Sequence, residues 1–385
     1  VSRQDGFSED EAVATALWNN ASFHAALAEL GIARADLLQA GQLTNPNFSM
    51  LFPMGPKQME FALTLPVEAV WLRPRRIAIA KLNERKVAEQ LVQHGLNLIR
   101  DVRTAFADLA LAQDRTRLAA DALAAQTNIS QIARARLEAG DTSELESSTA
   151  RIAALRARED ARVANDQLLL ARQRLAVLFG SPATAATLNI TTGKAPVSSP
   201  PELRPLLDQA LSSRPDMRAA EIEVEAAGKR AGLTTAQLFA LSAVLDANEK
   251  ESGGGFDLGP GIELPIPVLH QNQGARARAR AELDRAAWQA VAVRQQIHGE
   301  VTSAHTQFVQ AVEALAAWQR EVMPPLDETV QQTARAYEAG EVSLLAVHEA
   351  TRERVTARLR EAELHAAVRR AHADLERGVG RKLEP

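Results

Sequence analysis

Polar and apolar positions along the chain follow two rhythms. Over most of its length apolar residues step by three and four, as on one face of a helix. Ile99, Val102, Phe106 and Leu109 do so in one stretch; Val301, Phe308, Val312 and Leu315 do so in another, with Ala304 and Ala311 filling gaps. Proline is absent from Arg75 to Ser181, from His270 to Met323 and from Leu326 to Leu383. The pattern predicts a helix from about Arg75 to Ala139, roughly 100 Å long at the helical rise per residue. Such a rod cannot bury its stripe alone and requires neighbouring rods, as in a coiled coil or helical barrel. Pro324 and Pro325 cannot donate helical hydrogen bonds, so a kink or break is expected there.

Two windows switch to period two. In the first, residues 45–67, Phe48, Met50 and Phe52 alternate with Asn47, Ser49 and Leu51, and after a Met-Gly-Pro turn Met59, Phe61, Leu63 and Leu65 alternate with polar or small residues. In the second, residues 238–267, Phe239, Leu241, Ala243 and Leu245 alternate, and past a Gly-rich turn so do Phe256, Leu258, Ile262 and Leu264. Period two around a turn predicts a β-hairpin in each window. Four short strands cannot close a barrel, which needs about eight, and left open their edges would present unpaired backbone groups. The strands read as eight to ten residues each, close to the ~9–11 that cross a tilted outer-membrane barrel wall. One face is apolar and the other carries Asn47, Glu60, Thr64, Asp246, Asp257 and Glu263, which suits a water-filled transmembrane β-barrel. A soluble sheet packed on helices explains the alternation equally well. Tyr and Trp girdles are nearly missing, and only Trp71 stands where an interface aromatic belongs.

The two halves repeat each other. ARLEAGDTSEL around Gly140 and RAYEAGEVSLL around Gly340 align at an offset of 200, which persists through Ala171/Ala371, Leu175/Leu375 and Gly180/Gly380. Upstream, Leu65-Pro66 pairs with Leu264-Pro265 at an offset of 199. Each half reads helix, hairpin, long helix, Gly turn, helix. The organisation expected is a first repeat over 1–180, a linker rich in Ser, Thr and Pro over 181–205, and a second repeat over 206–385.

Composition narrows the function. Of 385 residues 46% are apolar but only 4% aromatic, and Ala supplies about a fifth, which favours long helices. Forty-four Lys and Arg against 48 Asp and Glu create no field for a polyanion, so nucleic acid is not an expected partner. With no Cys, disulfides, thiolate metal sites and Cys nucleophiles are excluded. No apolar run is long enough for a membrane-spanning helix. The start at Val1 shows neither an initiator Met nor a basic-then-apolar leader, and reads as a mature or trimmed form. His298/His305 and His365/His372 are each seven apart, whereas chelation on a helix prefers a four-residue spacing, so neither a metal site nor a cofactor is expected. The glycines of 253–261 precede a strand rather than a helix, Gly193-Lys194 lacks the rest of a phosphate loop, and no catalytic order of residues is found; an enzyme is not expected.

Taken together, the doubled order of these features resembles the outer-membrane factor family, TolC-like channels, and within it the CzcC-like heavy-metal-efflux branch. The resemblance runs from about Phe7 to Leu383. It rests on Asn45-Pro46-Asn47 entering the first strand, the LPV and LPIP strand ends, the turns Arg136–Ser143 and Tyr337–Ser343, and the spacing from Ala171 to Gly180 and Ala371 to Gly380. Departures are WLRPRR at 71–76, where the family often has Gly-Lys-Arg, and the lack of the acylated Cys that begins the lipoproteins of this branch. The fold implied is mainly α with a small β part: a long-helix α-helical barrel plus a transmembrane β-barrel to which each protomer gives four strands.

What the resemblance implies further is a homotrimer in the bacterial outer membrane, its helices in the periplasm, conducting heavy-metal cations passively. Its partners would be outer-membrane lipid, a periplasmic adaptor (membrane fusion protein) and an inner-membrane resistance–nodulation–division pump. On the lipid side would lie Phe48, Met50, Met59, Phe61, Leu63, Leu65, Phe239, Leu241, Leu245, Phe256, Leu258, Ile262 and Leu264. The adaptor would meet the turns Gly140, Asp141, Thr142, Ser143 and Gly340, Glu341, Val342, Ser343. Read from the residues alone, Gly140 and Gly340 are left-handed helix C-caps and the residues after them N-caps, which an ordinary helical hairpin needs as much as a docking tip. Glu349, with Glu144 and Glu146 near the first turn, would line an acidic gate; a solvated helix face is the alternative. A soluble coiled-coil scaffold or periplasmic adaptor, and a metal-binding periplasmic protein, remain alternatives to the channel.

Overall fold

The structure is a computed structural model; it describes residues 6–52, 59–193, 200–236, 241–250, 254–264, 266, 268 and 271–383. The first half runs α1 (Glu9–Asn19), α2 (Ala21–Ala40), β1 (Asn47–Leu51), β2 (Glu60–Pro66), α3 (Glu68–Glu138) and α4 (Glu144–Leu178). After a short 3-10 turn at Pro182–Thr187, the second half repeats the order as α5 (Leu203–Ser213), α6 (Pro215–Ala236), β3 (Ser242–Glu249), β4 (Phe256–Glu263), α7 (Gln273–Ala317), α8 (Met323–Glu338) and α9 (Leu344–Val379).

Three details depart from the expected pattern. Helix α3 starts at Glu68 and runs through Pro74 instead of beginning after it. Pro74 costs one donor near the helix start, where the Val70 carbonyl it leaves unbonded is at the protein surface. The break at Pro324-Pro325 takes the form of a π-turn over Trp318–Val322, with the Met323 amide reaching the Trp318 carbonyl. Wider spacing before the proline pair absorbs the missing donors without ending the rod. Finally, β1 and β2 have five and seven residues and β3 and β4 have eight. Met59, Leu241 and Leu264, expected in strands, lie just beyond their ends. The Met59 carbonyl accepts from the Glu249 amide and its own amide donates to the Glu249 carboxylate, while the Leu241 carbonyl accepts from the Glu68 amide, so both are fastened as strand ends. Phe239 lies outside the described residues.

Contacts divide the chain into two compact units, each built from both repeats. One comprises Val1–His24, His94–Ser213 and Ile297–Pro385. Its core holds Val102, Phe106 and Leu109 of α3, Leu175 and Phe179 at the end of α4, and Ala12 and Ala16 of α1. Val301, Phe308 and Leu315 of the second predicted stripe are likewise buried. Alanines at the contacts allow close approach, while arginine–carboxylate pairs bind the helices at their margins. Arg115 and Arg360 grip Glu363, whose carboxyl they hold below the usual range, Arg115 foremost.

The other unit comprises Ala25–Gln93 and Arg214–Gln296 and contains a four-stranded antiparallel sheet in the order β1-β2-β3-β4. The two hairpins join through β2 and β3, with Leu63 opposite Leu245 and Leu65 opposite Ala243. Pro66, Ser242 and Glu263 stand in one row, so the helices all connect to the same end of the sheet. Strands β1 and β4 are its free edges within one chain.

Candidate functional site

At the far end of α3 the residue types dictate the turn. Gly140 has φ +83°, the Asp141 amide bonds the Arg136 carbonyl at 2.8 Å and the Gly140 amide the Leu137 carbonyl at 3.0 Å. That pattern satisfies carbonyls the helix end would orphan, and it needs a residue without Cβ. The second repeat copies it with Gly340 at φ +78°, Glu341 to Ala336 and Gly340 to Tyr337. The return helices are capped unequally. Ser143 Oγ accepts from the Glu146 amide at 3.2 Å, whereas Ser343 holds the cap position without a side-chain bond. Thr142 donates to the Glu146 carboxylate at 2.6 Å. The two turns are tied together: Arg136 donates to the hydroxyl of Tyr337, the chain's single Tyr, at 3.2 Å, with its guanidinium 6.0 Å from the ring centre.

Between the turns lies a cleft of about 320 Å³. Ile129 of α3, Leu145 of α4 and Leu345 of α9 give it apolar walls, and Ser143 and Ser343 stand at it. Leu145 is 76% exposed and Leu345 51%, at equivalent positions of the two repeats. His348 lines it as well, and its Nδ1 is buried with no hydrogen-bond partner. An apolar recess with one unsatisfied polar atom fits an inserted aliphatic side chain accompanied by a hydroxyl or amide, since an unpaired buried group costs about 1–3 kcal/mol until matched. Of the gate candidates, Glu146 lies in this cleft, whereas Glu144 and Glu349 are exposed outside its lining. Sequence reasoning passed over His348, although the repeat offered a signal: at the equivalent position the first half has Ser148.

In the other unit, the sheet's register places Phe48, Met50, Phe61, Leu63, Leu65, Leu245, Phe256, Leu258 and Ile262 on one face. Phe61 forms a ring contact with Phe48 at 6.1 Å and with Phe256 at 5.2 Å. The opposite face carries Asn47, Glu60, Thr64, Asp246, Asp257 and Glu263. Asp246 lies across Gly259, where a Cβ would come within 2.5 Å of its carboxylate. Among the described residues nothing covers the apolar face at Phe48, Leu258 and Ile262, which are exposed. Among the described residues no cluster of His, Cys, Asp and Glu is arranged to hold a metal ion, and no helix is long and apolar enough to cross a membrane.

A mainly helical chain with doubled tips and a small amphipathic sheet is the fold of the TolC-like outer-membrane channels. Residues 206–381, which make up the second repeat, match the model of the family described as outer membrane efflux protein. Its channels are not enzymes. The cobalt-zinc-cadmium resistance protein CzcC of Cupriavidus metallidurans is 23% identical over 377 residues, 97% of this chain and 90% of that protein. Among solved structures, CusC superposes with a TM-score of 0.78 at 20% identity, over 97% of this chain and 92% of that one. VceC of Vibrio cholerae gives 0.77 at 18% identity, over 98% and 97%. The fold expected from the sequence is thus the fold found, and a plain coiled-coil scaffold is not.

Proposed function

We propose that the chain is the passive exit duct of a tripartite efflux system, and that its cargo is heavy-metal cations. One observation carries this reading: a four-stranded sheet with one uncovered apolar face, one acidic face and two free edges. Alone, it leaves both edges unpaired and the apolar face wet. Three copies give twelve strands, a closed cylinder with Leu63, Leu258 and Ile262 toward lipid and Glu60, Asp246, Asp257 and Glu263 toward water. The metal assignment draws support from the CzcC likeness and from the carboxylates on the water-facing side, which favour cations.

The helical tips are then the docking end. The cleft between Leu145 and Leu345 receives an aliphatic side chain from the hairpin of a periplasmic adaptor, and the adaptor links the duct to an inner-membrane pump of the resistance–nodulation–division class. Energy comes from that pump.

Deletion of the gene in its host should raise sensitivity to Co²⁺, Zn²⁺ and Cd²⁺, with resistance restored by the wild-type chain and not by Leu145→Asp/Leu345→Asp. Unchanged metal tolerance alongside new sensitivity to organic compounds would contradict the cargo. Full rescue by the double variant would contradict the docking cleft.

A further inference from the structure

The stretch WLRPRR at 71–76 has no part in the conduction or docking described above. Trp71 is 44% exposed on the first turn of α3. In the segments at this end of the strands, Leu65, Val70, Leu264, Ile266 and Val268 are exposed and extend the apolar character of the sheet to its helical end. Arg73, Arg75 and Arg76 follow, about 8–12 Å along the helix from its start. Their side chains bond backbone carbonyls: Arg73 to Gly41 at 2.6 Å, Arg75 to Gly232 at 3.4 Å, Arg76 to Ala69 at 3.2 Å. A guanidinium has five donors, and none of these three has a carboxylate partner among the described residues.

The second repeat does the same. Helix α7, the one that follows the other hairpin, opens with Arg276, Arg278 and Arg280 in its first two turns. Arg278 pairs with Glu282 at 2.9 Å, while Arg276 and Arg280 have no carboxylate partner among the described residues. Deeper in the same unit five cations are matched, Arg34 with Glu84, Lys86 and Arg230 with Glu223, Arg218 with Glu89 and Lys229 with Glu225, while Lys81, Arg85, Arg285 and Arg294 have no carboxylate partner among the described residues. Guanidinium groups without a carboxylate partner thus stand in the turns next to the sheet in both repeats, in a protein whose net charge is −4.

From apolar strand face to Trp to Arg is the order in which a bilayer presents acyl chains, interface and phosphate. We propose that Arg73, Arg75, Arg76, Arg276 and Arg280 form a belt that binds the phosphates of anionic phospholipid in the leaflet on the helical side. Lipid supplies the charge the protein leaves out, and guanidinium forks suit phosphate oxygens. The inference rests on the sheet being embedded in a membrane, and the test separates the two.

The full-length protein is reconstituted into nanodiscs of phosphatidylcholine with a minority of phosphatidylglycerol, and the lipids retained on the released particle are counted by native mass spectrometry. Wild type should retain phosphatidylglycerol above its bulk fraction, by about fivefold for each engaged arginine, and less so at high salt. R73Q/R75Q/R76Q and R276Q/R280Q should each lower the enrichment, while the matching Lys variants keep part of it. Circular dichroism of every variant confirms its helices. Inserted wild type with bulk lipid ratios, or Gln variants that enrich as wild type does, would overturn the belt and leave the duct standing. Full displacement by inorganic phosphate at equal concentration would also overturn it, because the ligand would then be the free ion. Failure of wild type to enter the nanodisc would overturn the membrane reading and the belt together.

Discussion

Gly180→Ala tests the fold at its tightest joint. Gly180 follows α4 with φ +67°, and a Cβ there would lie 2.5 Å from the carbonyl oxygen of Asn19, at the end of α1. Two costs add. The left-handed backbone costs a residue with a Cβ about 1–2 kcal/mol. A methyl forced against backbone costs about 1–3 kcal/mol more. The end of α1 cannot retreat cheaply, because Asn20 Nδ2 donates to the Leu178 carbonyl at 3.0 Å and binds the two helix ends together. Gly340→Ala is the control: its φ is +78° but a methyl added there meets nothing within 4 Å, so only the backbone cost applies. Urea unfolding of the full chain in micelles, followed by far-UV circular dichroism, should show a loss of about 2–5 kcal/mol for Gly180→Ala and about 1–2 kcal/mol for Gly340→Ala. Equal losses for the two would refute the argument, since the α1–α4 contact would then carry no strain.

Leu63→Lys on the apolar strand face should cost ~2–4 kcal/mol if the position lies near the bilayer midplane; normal yield in the outer-membrane fraction would show that this strand never meets lipid. Tyr337→Phe removes the hydrogen bond from Arg136 but keeps the ring, so stability should fall by about 1 kcal/mol at most, while spin labels at introduced Ala139→Cys and Ala339→Cys should report a broader distance distribution. An unchanged distribution would deny that the pair ties the tips. His372 is held below its usual pKa by burial first and then by Arg103 and Lys382, although Glu376 stands 4.0 Å away. That carboxylate is committed to Arg103 and the Leu383 amide. The unfolded chain therefore binds the proton more readily, and stability should fall as pH drops below about 6.5. His372→Leu should flatten that part of the curve, and an identical slope in the variant would place the dependence elsewhere.

What could be read in the sequence was local. Period two with Gly or Pro turns marks a hairpin within one short window, and Gly140 and Gly340 mark turns because φ near +80° admits little else. The doubled order exposed the fold. Pairing of Leu63 with Leu245 was not legible, because it joins strands far apart in sequence and is fixed only when both hairpins share one sheet. The same holds for the tip cleft. Ile129, Leu145 and His348 come from three helices, and helical periodicity gives each its face but not its neighbour. Helix α3 reads too short in the sequence because Pro74 looks like a boundary, whereas near a helix start it removes a single bond.

Because the chain has no Cys, cross-linking gives the most direct test of whether separate copies share one cylinder. Within a chain, β1 and β4 are separated by two strands, about 14 Å at the usual strand spacing, beyond the reach of a disulfide. Ser49→Cys on β1 combined in turn with Asp257→Cys, Gly259→Cys or Gly261→Cys on β4 puts both thiols on the polar face. Oxidation of the outer-membrane fraction should give a ladder ending at three linked chains for at least one of the pairs. Monomers alone in all three would contradict the pooled barrel.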